Sequence, residues 1–420
     1  MTDLGTQEAL HGVDAPAEIT PRAELEARAA RMQALLRNAE LDGVLATQNA
    51  DVFYLSGVVQ QAQLYLPVEG KPLLMVRKHL GRSREVTALG AESVVGVRSL
   101  REMPGLIESA GGRPSRIGFE WDTLPVSIFQ AYAKALSPLE AELVDASMLF
   151  RQVRAVKSEY EVEQIRRASA VADAGLRAAA EKCREGMSEV ELASIIEAAA
   201  RVAGHSGTVR MRFFGQEMHM GHLLSGASGG VASFMNSPGG GHGPGPWAPY
   251  GAGPARLKRG EPIYIDYSGE WGGYISDQTR MLSIGSLSSF WLDAYSAMRE
   301  VEEHVAREAR PGITSGDLYN MALNKAADLG YASNFMGPSE EESPGQRVSF
   351  VGHSVGLELD EWPPLQQGST AVLEEGMVLA VEPKVIFPGR GAIGIEDTYR
   401  LTPTGLDPLT FSPRDILVVS

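Results

Sequence analysis

Residues 262–285 read PIYIDYSGEWGGYISDQTRMLSIG, two runs rich in β-branched and aromatic residues on either side of a glycine pair. That composition favours strands, and Gly269, Gly272 and Gly273 supply the turn between them. The stretch therefore predicts a hairpin that brings Asp266 and Asp277, 11 positions apart, to one place. An acid in an apolar strand is costly unless it is paired, hydrogen-bonded or bound to a cation. The anomaly recurs at Glu382 in MVLAVEPKVIF (377–387) and, 14 residues later, at Glu396 in AIGIEDTYR (392–400). His353 stands alone in VSFVGHSVG (348–356), where two glycines leave room for close approach. Taken singly, each acid reads as a turn cap or half of an ion pair, and the histidine as a satisfied core residue. Together, four acids and one imidazole make an oxygen-rich ligand set. It suits one or two divalent ions of harder character, Mn²⁺ first, with Co²⁺, Zn²⁺ or Fe²⁺ as alternatives. Two such ions roughly 3.5–4 Å apart would polarise a carbonyl and acidify a bridging water.

Upstream, Arg184–His205 and Arg310–Tyr331 share a turn, a hydroxyl cap (Ser188, Thr314), an acid three residues on (Glu191, Asp317) and a closing glycine. Two copies of this grammar point to an internal duplication and hence to a pseudo-symmetric domain. Between them lies SPGGGHGPGPWAPYGAGP (237–254), a Gly/Pro-rich loop of the kind that is often functional inside a compact domain. The same half opens at Lys157-Ser158, where Ser158 and Glu161 form a capping box. Before it, short apolar runs at 43–47, 72–77, 93–97 and 116–120 alternate with helix-length segments, the pattern of an α/β domain. Thr20, Pro21 and Glu24 predict its first helix start. The expected organisation is a flexible tail over 1–20, an α/β domain over 21–150 and a catalytic domain over 151–420.

The chain has 420 residues, long enough for about two or three domains. Its 53 acids against 38 Lys and Arg give a formal charge of −15, which argues against nucleic acid and anionic lipid as partners. No apolar run is long enough to span a membrane, and no secretory leader pattern opens the chain, so a cytoplasmic protein is expected. Cys183 is the only cysteine, which excludes an internal disulfide and a thiolate zinc site. It lacks a paired histidine motif that would activate it as a nucleophile. No nucleotide-binding glycine motif precedes a helix.

DYSGEWGGYISDQTR, GHSVGLELDE, the VEP triplet at 381–383 and GIED at 394–397 resemble the motifs of the pita-bread metallohydrolases, the prolidase, aminopeptidase P, methionine aminopeptidase and creatinase relatives. RAVKSEYEVEQIRRA (154–168) resembles the helix that opens their catalytic domain, and the N-terminal unit resembles the smaller domain of the prolidase and creatinase branch. The resemblance covers about residues 22–420. It implies an α/β fold with a pseudo-two-fold catalytic domain, an Xaa-Pro-type peptidase acting on a small peptide or amide, and a homodimer. It also implies a ligand set: Asp266 on one metal, Asp277 and Glu396 bridging, and His353 and Glu382 on the other, with Glu382 shuttling a proton.

Three departures bear on the substrate. The second histidine that proline-specific members carry seven residues after His353 is Asp360 here, whose charge is expected to select a cationic or amine-bearing group. Their arginine two residues before the last ligand is Gly394, with Arg390 nearby but displaced. The histidine expected on the loop before the first ligand is represented by His242, read as a substrate-orienting residue. His219 and His222 lie in a segment that looks strand-like, where i and i+3 face opposite sides, so His222 is expected to be structural or substrate-facing. A C–N hydrolase like creatinase, or a metal-dependent lyase, is the alternative on the same fold.

Overall fold

The computed structural model describes residues 18–213, 215–339 and 341–420, so the tail expected at 1–20 lies almost wholly outside the described residues. The described chain divides into two compact units, 18–154 with 212–216, and 155–211 with 217–420.

The first unit is built on a six-stranded sheet of β1 (Gly43–Ala46), β2 (Ala62–Pro67), β3 (Leu73–Val76), β4 (Val94–Gly96), β5 (Arg116–Phe119) and β6 (Glu142–Asp145), in the order β4-β3-β2-β1-β5-β6. The four apolar runs form β1, β3, β4 and β5. The other two strands escaped the sequence reading because β2 is interrupted by Gln63 and β6 is only partly buried. Six helices accompany the sheet: α1 (Arg22–Asn38), α2 (Asn49–Ser56), α3 (Leu80–Val86), α4 (Met103–Gly111), α5 (Val126–Leu136) and α6 (Ser147–Ala155). The expected cap on α1 does not form. Pro21 is extended and occupies the cap position itself, leaving Thr20 one residue too far back, and Glu24 pairs with Arg28 at 2.7 Å instead. Asp51 is buried between Arg154 and Arg212 at 2.8 and 2.7 Å; burial pushes its carboxyl up, but the two guanidinium groups outweigh it and hold the group well below the usual range.

The second unit contains α7 (Glu159–Lys182), α8 (Glu189–Val202), β7 (Gly221–Ser225), β8 (Pro262–Tyr267), β9 (Gly269–Trp271), β10 (Tyr274–Ser276) and β11 (Thr279–Ile284). These are followed by α9 (Ser289–Glu308), α10 (Ser315–Asp328), β12 (Phe350–Ser354), β13 (Glu361–Gln366), β14 (Val378–Val381), β15 (Lys384–Phe387), β16 (Gly391–Gly394), β17 (Asp397–Thr402), β18 (Gly405–Pro408) and β19 (Leu417–Val419). One sheet runs β19-β11-β8-β7 and the other β13-β12-β14-β17-β18, with hairpins β9–β10 and β15–β16 beside them.

The two helix repeats are built alike. Ser188 with Glu191 and Thr314 with Asp317 form complete capping boxes on α8 and α10. Ahead of them, the Gly186 N–H donates to Leu257 O at 2.9 Å and the Gly312 N–H to Leu373 O at 2.8 Å. Val171, Leu176, Leu192 and Ile196 of α7 and α8 pack on Leu223, Ile263, Ile265 and Leu282 of the first sheet. Met298, Val301, Leu318 and Ala322 of α9 and α10 share a core with Leu379, Val381 and Leu401 of the second, which Leu224, Tyr264 and Met281 join from the first sheet's other face. Among the described residues, no helix is long and apolar enough to cross a membrane.

Candidate metal centre

The hairpin read from residues 262–285 is nested. Gly272 and Gly273 both take positive φ (59° and 87°) and close β9 onto β10, while β8 pairs with β11 outside them. That pairing sets Asp266 opposite Thr279, two residues beyond Asp277, and sets His222 of β7 opposite Asp266 on the other flank. Directly opposed residues share a face, so His222, Asp266 and Thr279 line one side of the first sheet. Thr279 then bridges to the second sheet. Its N–H donates to Glu396 O at 3.2 Å, the Glu396 N–H donates back to Thr279 O at 3.3 Å, and its hydroxyl donates to Glu396 Oε2 at 2.9 Å.

Glu382 and Glu396 sit one residue beyond β14 and before β17, where Val381 pairs with Asp397. The hairpin β15–β16 continues the same ladder, with Lys384 opposite Gly394. Alternation along a strand therefore puts Lys384 on the face of Glu382. From β12, beside β14, the Gly352 backbone passes so close that a Cβ would come within 2.1 Å of Ala380 O, and His353 enters next to it. His353 Nδ1 donates to Ser354 O at 3.1 Å, which leaves Nε2 free as an acceptor or ligand.

His353 Nε2 lies 3.8 Å from Asp277 Oδ2, 3.8 Å from Glu382 Oε1 and 3.6 Å from Asp360 Oδ1, too far for hydrogen bonds. Asp277, His353 and Glu396 each offer a ligand atom within 4.8 Å of the others. Ligand atoms held roughly 2.0–2.2 Å from one ion are separated by distances of this order. Glu396 Oε1 is buried with no hydrogen-bond partner, as a carboxylate oxygen reserved for a cation would be. These residues fit one divalent ion.

Around Asp266 the arrangement differs. Lys384, buried, places Nζ 2.6 Å from Glu382 Oε2, 3.1 Å from Glu396 Oε2 and 3.2 Å from Asp266 Oδ2, and Tyr264 donates to the same Asp266 oxygen at 2.8 Å. Burial pushes the Asp266 carboxyl up, but Lys384 and His222 outweigh it and hold the group below the ordinary range. Burial pushes the Lys384 ammonium down, but the three carboxylates outweigh it and hold the group well above the ordinary range. Asp277 and Glu396 go the other way. Burial drives both well above the carboxylate range, reinforced for Asp277 by Glu396 and Asp266; for Glu396 burial acts against the pull of Lys384 and is reinforced by Glu382 and Asp266. His353 is pushed down by burial but pulled up past its ordinary value by Asp360, Glu382 and Asp277.

Lys384, Tyr264 and Thr279 are absent from the sequence reading. For Lys384 a signal existed, since a lysine in the apolar run 377–387 is as anomalous as the glutamate two residues before it. His222 is buried, its Nε2 without a hydrogen-bond partner, and burial lowers its pKa below the ordinary value against the pull of Asp266. His219 lies outside β7, so the opposite-face expectation for the two histidines does not apply. Both rings pack on Tyr250, at 4.6 and 5.7 Å between centroids. His242 is exposed in the Gly/Pro-rich loop, and no hydrogen bond or ion pair among the described residues joins it to the acids.

A pseudo-symmetric pair of sheets that meets at clustered acids and one imidazole defines a metallohydrolase centre. Residues 163–403 match the model of metallopeptidase family M24 and residues 28–156 that of the creatinase/prolidase N-terminal domain, and the chain belongs to family M24. It is 29% identical over 378 residues to an Xaa-Pro dipeptidase of Pyrococcus horikoshii, which covers 90% of this chain and 95% of that one. The solved prolidase of Pyrococcus horikoshii superimposes with a TM-score of 0.74 at 25% identity, over 93% of this chain and 99% of that one. The Xaa-Pro dipeptidase of Bacillus anthracis shares the fold with a TM-score of 0.78 at 22% identity, over 94% and 100% of the two chains. These relatives favour a metallopeptidase over the C–N hydrolase and lyase alternatives.

Proposed function

We propose that the chain is an Xaa-Pro-type dipeptidase whose divalent ion is held by Asp277, His353 and Glu396. The observation that carries the reading is the convergence of these three ligand atoms within 4.8 Å in a chain of family M24. An oxygen-rich set with one imidazole favours Mn²⁺, with Co²⁺, Zn²⁺ and Fe²⁺ as alternatives. The ion, when bound, supplies Lewis acidity to an amide carbonyl and lowers the pKa of a water ligand.

The remaining steps fall to side chains. Glu382 keeps Oε2 on Lys384 and turns Oε1 toward His353, which suits it to take a proton from the attacking water and hand it to the leaving amine. Asp360, with a side chain 37% exposed beside His353, offers a carboxylate to the free α-ammonium of a dipeptide. His222 and the exposed His242 are assigned to the substrate side. Cytoplasmic location and a homodimer belong to the same proposal, and light scattering on the purified protein tests the second. A panel of Xaa-Pro dipeptides, other dipeptides and small amidines, run with each metal, tests the activity. Cleavage of the Xaa-Pro members by the wild type but not by D277N is expected. Equal inactivity of both proteins on every peptide would end the peptidase reading.

A further inference from the structure

The acids of the centre do not share one kind of cation. Asp266, Glu382 and Glu396 each give an oxygen to Lys384 Nζ, at 3.2, 2.6 and 3.1 Å. An ammonium has three N–H donors and no acceptor, so these contacts use its full capacity. The lysine is sealed in, with a side chain 1% exposed and Nζ 5.5 Å from the Tyr264 ring centroid.

Its route into the cluster depends on a second residue. Gly394 pairs with Lys384 across the β15–β16 hairpin, and a Cβ at 394 would lie 2.7 Å from Lys384 Cγ and 2.6 Å from Pro383 O. A bare backbone at 394 is what lets the lysine stem cross that rung. The position where peptidase relatives are expected to carry an arginine, and the lysine that the sequence reading passed over, are thus one feature.

Two carboxylates straddle the boundary. Glu396 gives Oε2 to Lys384 and Thr279 while Oε1 stays buried without a hydrogen-bond partner, and Glu382 gives Oε2 to Lys384 while Oε1 faces His353. The free oxygens lie on the side of Asp277 and His353, where the triad is complete. A second ion placed against Asp266 and Glu396 would meet an ammonium already anchored to the same oxygens.

We propose that Lys384 is a built-in cation that takes the place of one of two metal ions, so that the chain binds a single divalent ion, on Asp277, His353 and Glu396. The proposal rests on the metallopeptidase reading of the centre and fixes its stoichiometry. The test is calorimetric titration of metal-free full-length protein with Mn²⁺, followed by metal analysis and electron paramagnetic resonance of the loaded protein. The wild type is expected to saturate at one ion per chain with the spectrum of an isolated Mn²⁺, and K384A at two with an exchange-coupled spectrum. Two ions per wild-type chain, or none, overturns the proposal, as does a folded K384A protein that still stops at one. K384A leaves three buried acids without a counter-charge, so the wild-type stoichiometry decides on its own if that variant fails to fold. One ion without peptide cleavage would sink the dipeptidase reading and leave this one standing; cleavage by a two-ion protein would do the reverse.

Discussion

The centre has two sides made of the same materials and finished differently. Toward Lys384, three carboxylates close on an ammonium, and every oxygen they present there has a partner. Toward His353, Asp277 and Glu396 face an imidazole across gaps no hydrogen bond fills, and a buried oxygen is left over. Burial raises the cost of charge on both sides. On the first, that cost is offset within the chain, and Asp266 stays ionised below its ordinary range. On the second it is not, and Asp277 is driven well above its own; Glu396, which straddles the two, is raised as well despite the pull of Lys384. A carboxylate in an apolar strand thus means a site only when its neighbours leave its charge unanswered.

Removing a ligand from the unanswered side has the largest consequence. D277N should lose divalent-ion binding and cut kcat/KM by more than about a hundredfold, beyond the 10–100-fold typical of a supporting group. Titration calorimetry and initial rates check it, and near wild-type activity would erase the distinction between the sides. On the answered side, K384M keeps the volume and removes the charge. Breaking a buried ionic cluster by deleting one partner costs about 3–5 kcal/mol. The metal-free variant should melt well below the wild type and recover more than the wild type when Mn²⁺ is added, by differential scanning calorimetry.

The two sides should also titrate in opposite senses in the metal-free protein. Asp266 is depressed in the fold, so the unfolded chain binds more protons through the ordinary carboxylate range; its contribution is present above that range and lost as pH falls. Asp277 is raised, so the folded chain holds a proton that the unfolded chain has released, and stability falls as pH rises above the ordinary carboxylate value toward its folded one. Melting curves of D266N and D277N from pH 2 to pH 8 should therefore differ from the wild type in opposite senses, D266N losing a rise of stability with pH below the ordinary carboxylate value and D277N losing a fall of stability with pH above it. Equal slopes would mean that Lys384 serves both sides. The smallest effect concerns Asp360. At a partly exposed site a single pairing is worth about 0–1 kcal/mol, so D360N should raise KM for dipeptides by no more than about fivefold with little change in kcat. An effect confined to kcat would move Asp360 from substrate to ion.

The acids of the centre were legible because each interrupts an apolar run of sequence, and the duplicated helices because capping boxes and closing glycines are local chemistry. Which acid keeps its charge is set by contacts across the hairpin rung between Lys384 and Gly394 and by the Thr279 bridge between the sheets. The lysine stands out in its apolar run, but the partners it meets across the rung and the Thr279 bridge leave no mark within a few residues of chain. The nesting of β9–β10 inside β8–β11 was hidden for the same reason. A glycine pair announces a turn, but not which strands lie outside it. The misplaced cap on α1 is a local failure: the helix begins at Arg22, one position later than the hydroxyl pattern suggests, which puts Pro21 and not Thr20 at the cap.

The most direct test of the account is anomalous diffraction from a crystal of the Mn²⁺-loaded protein. One anomalous peak is expected, among Asp277, His353 and Glu396, with Lys384 still bonded to Asp266, Glu382 and Glu396. A second peak beside Asp266, with the lysine displaced from the cluster, would contradict it.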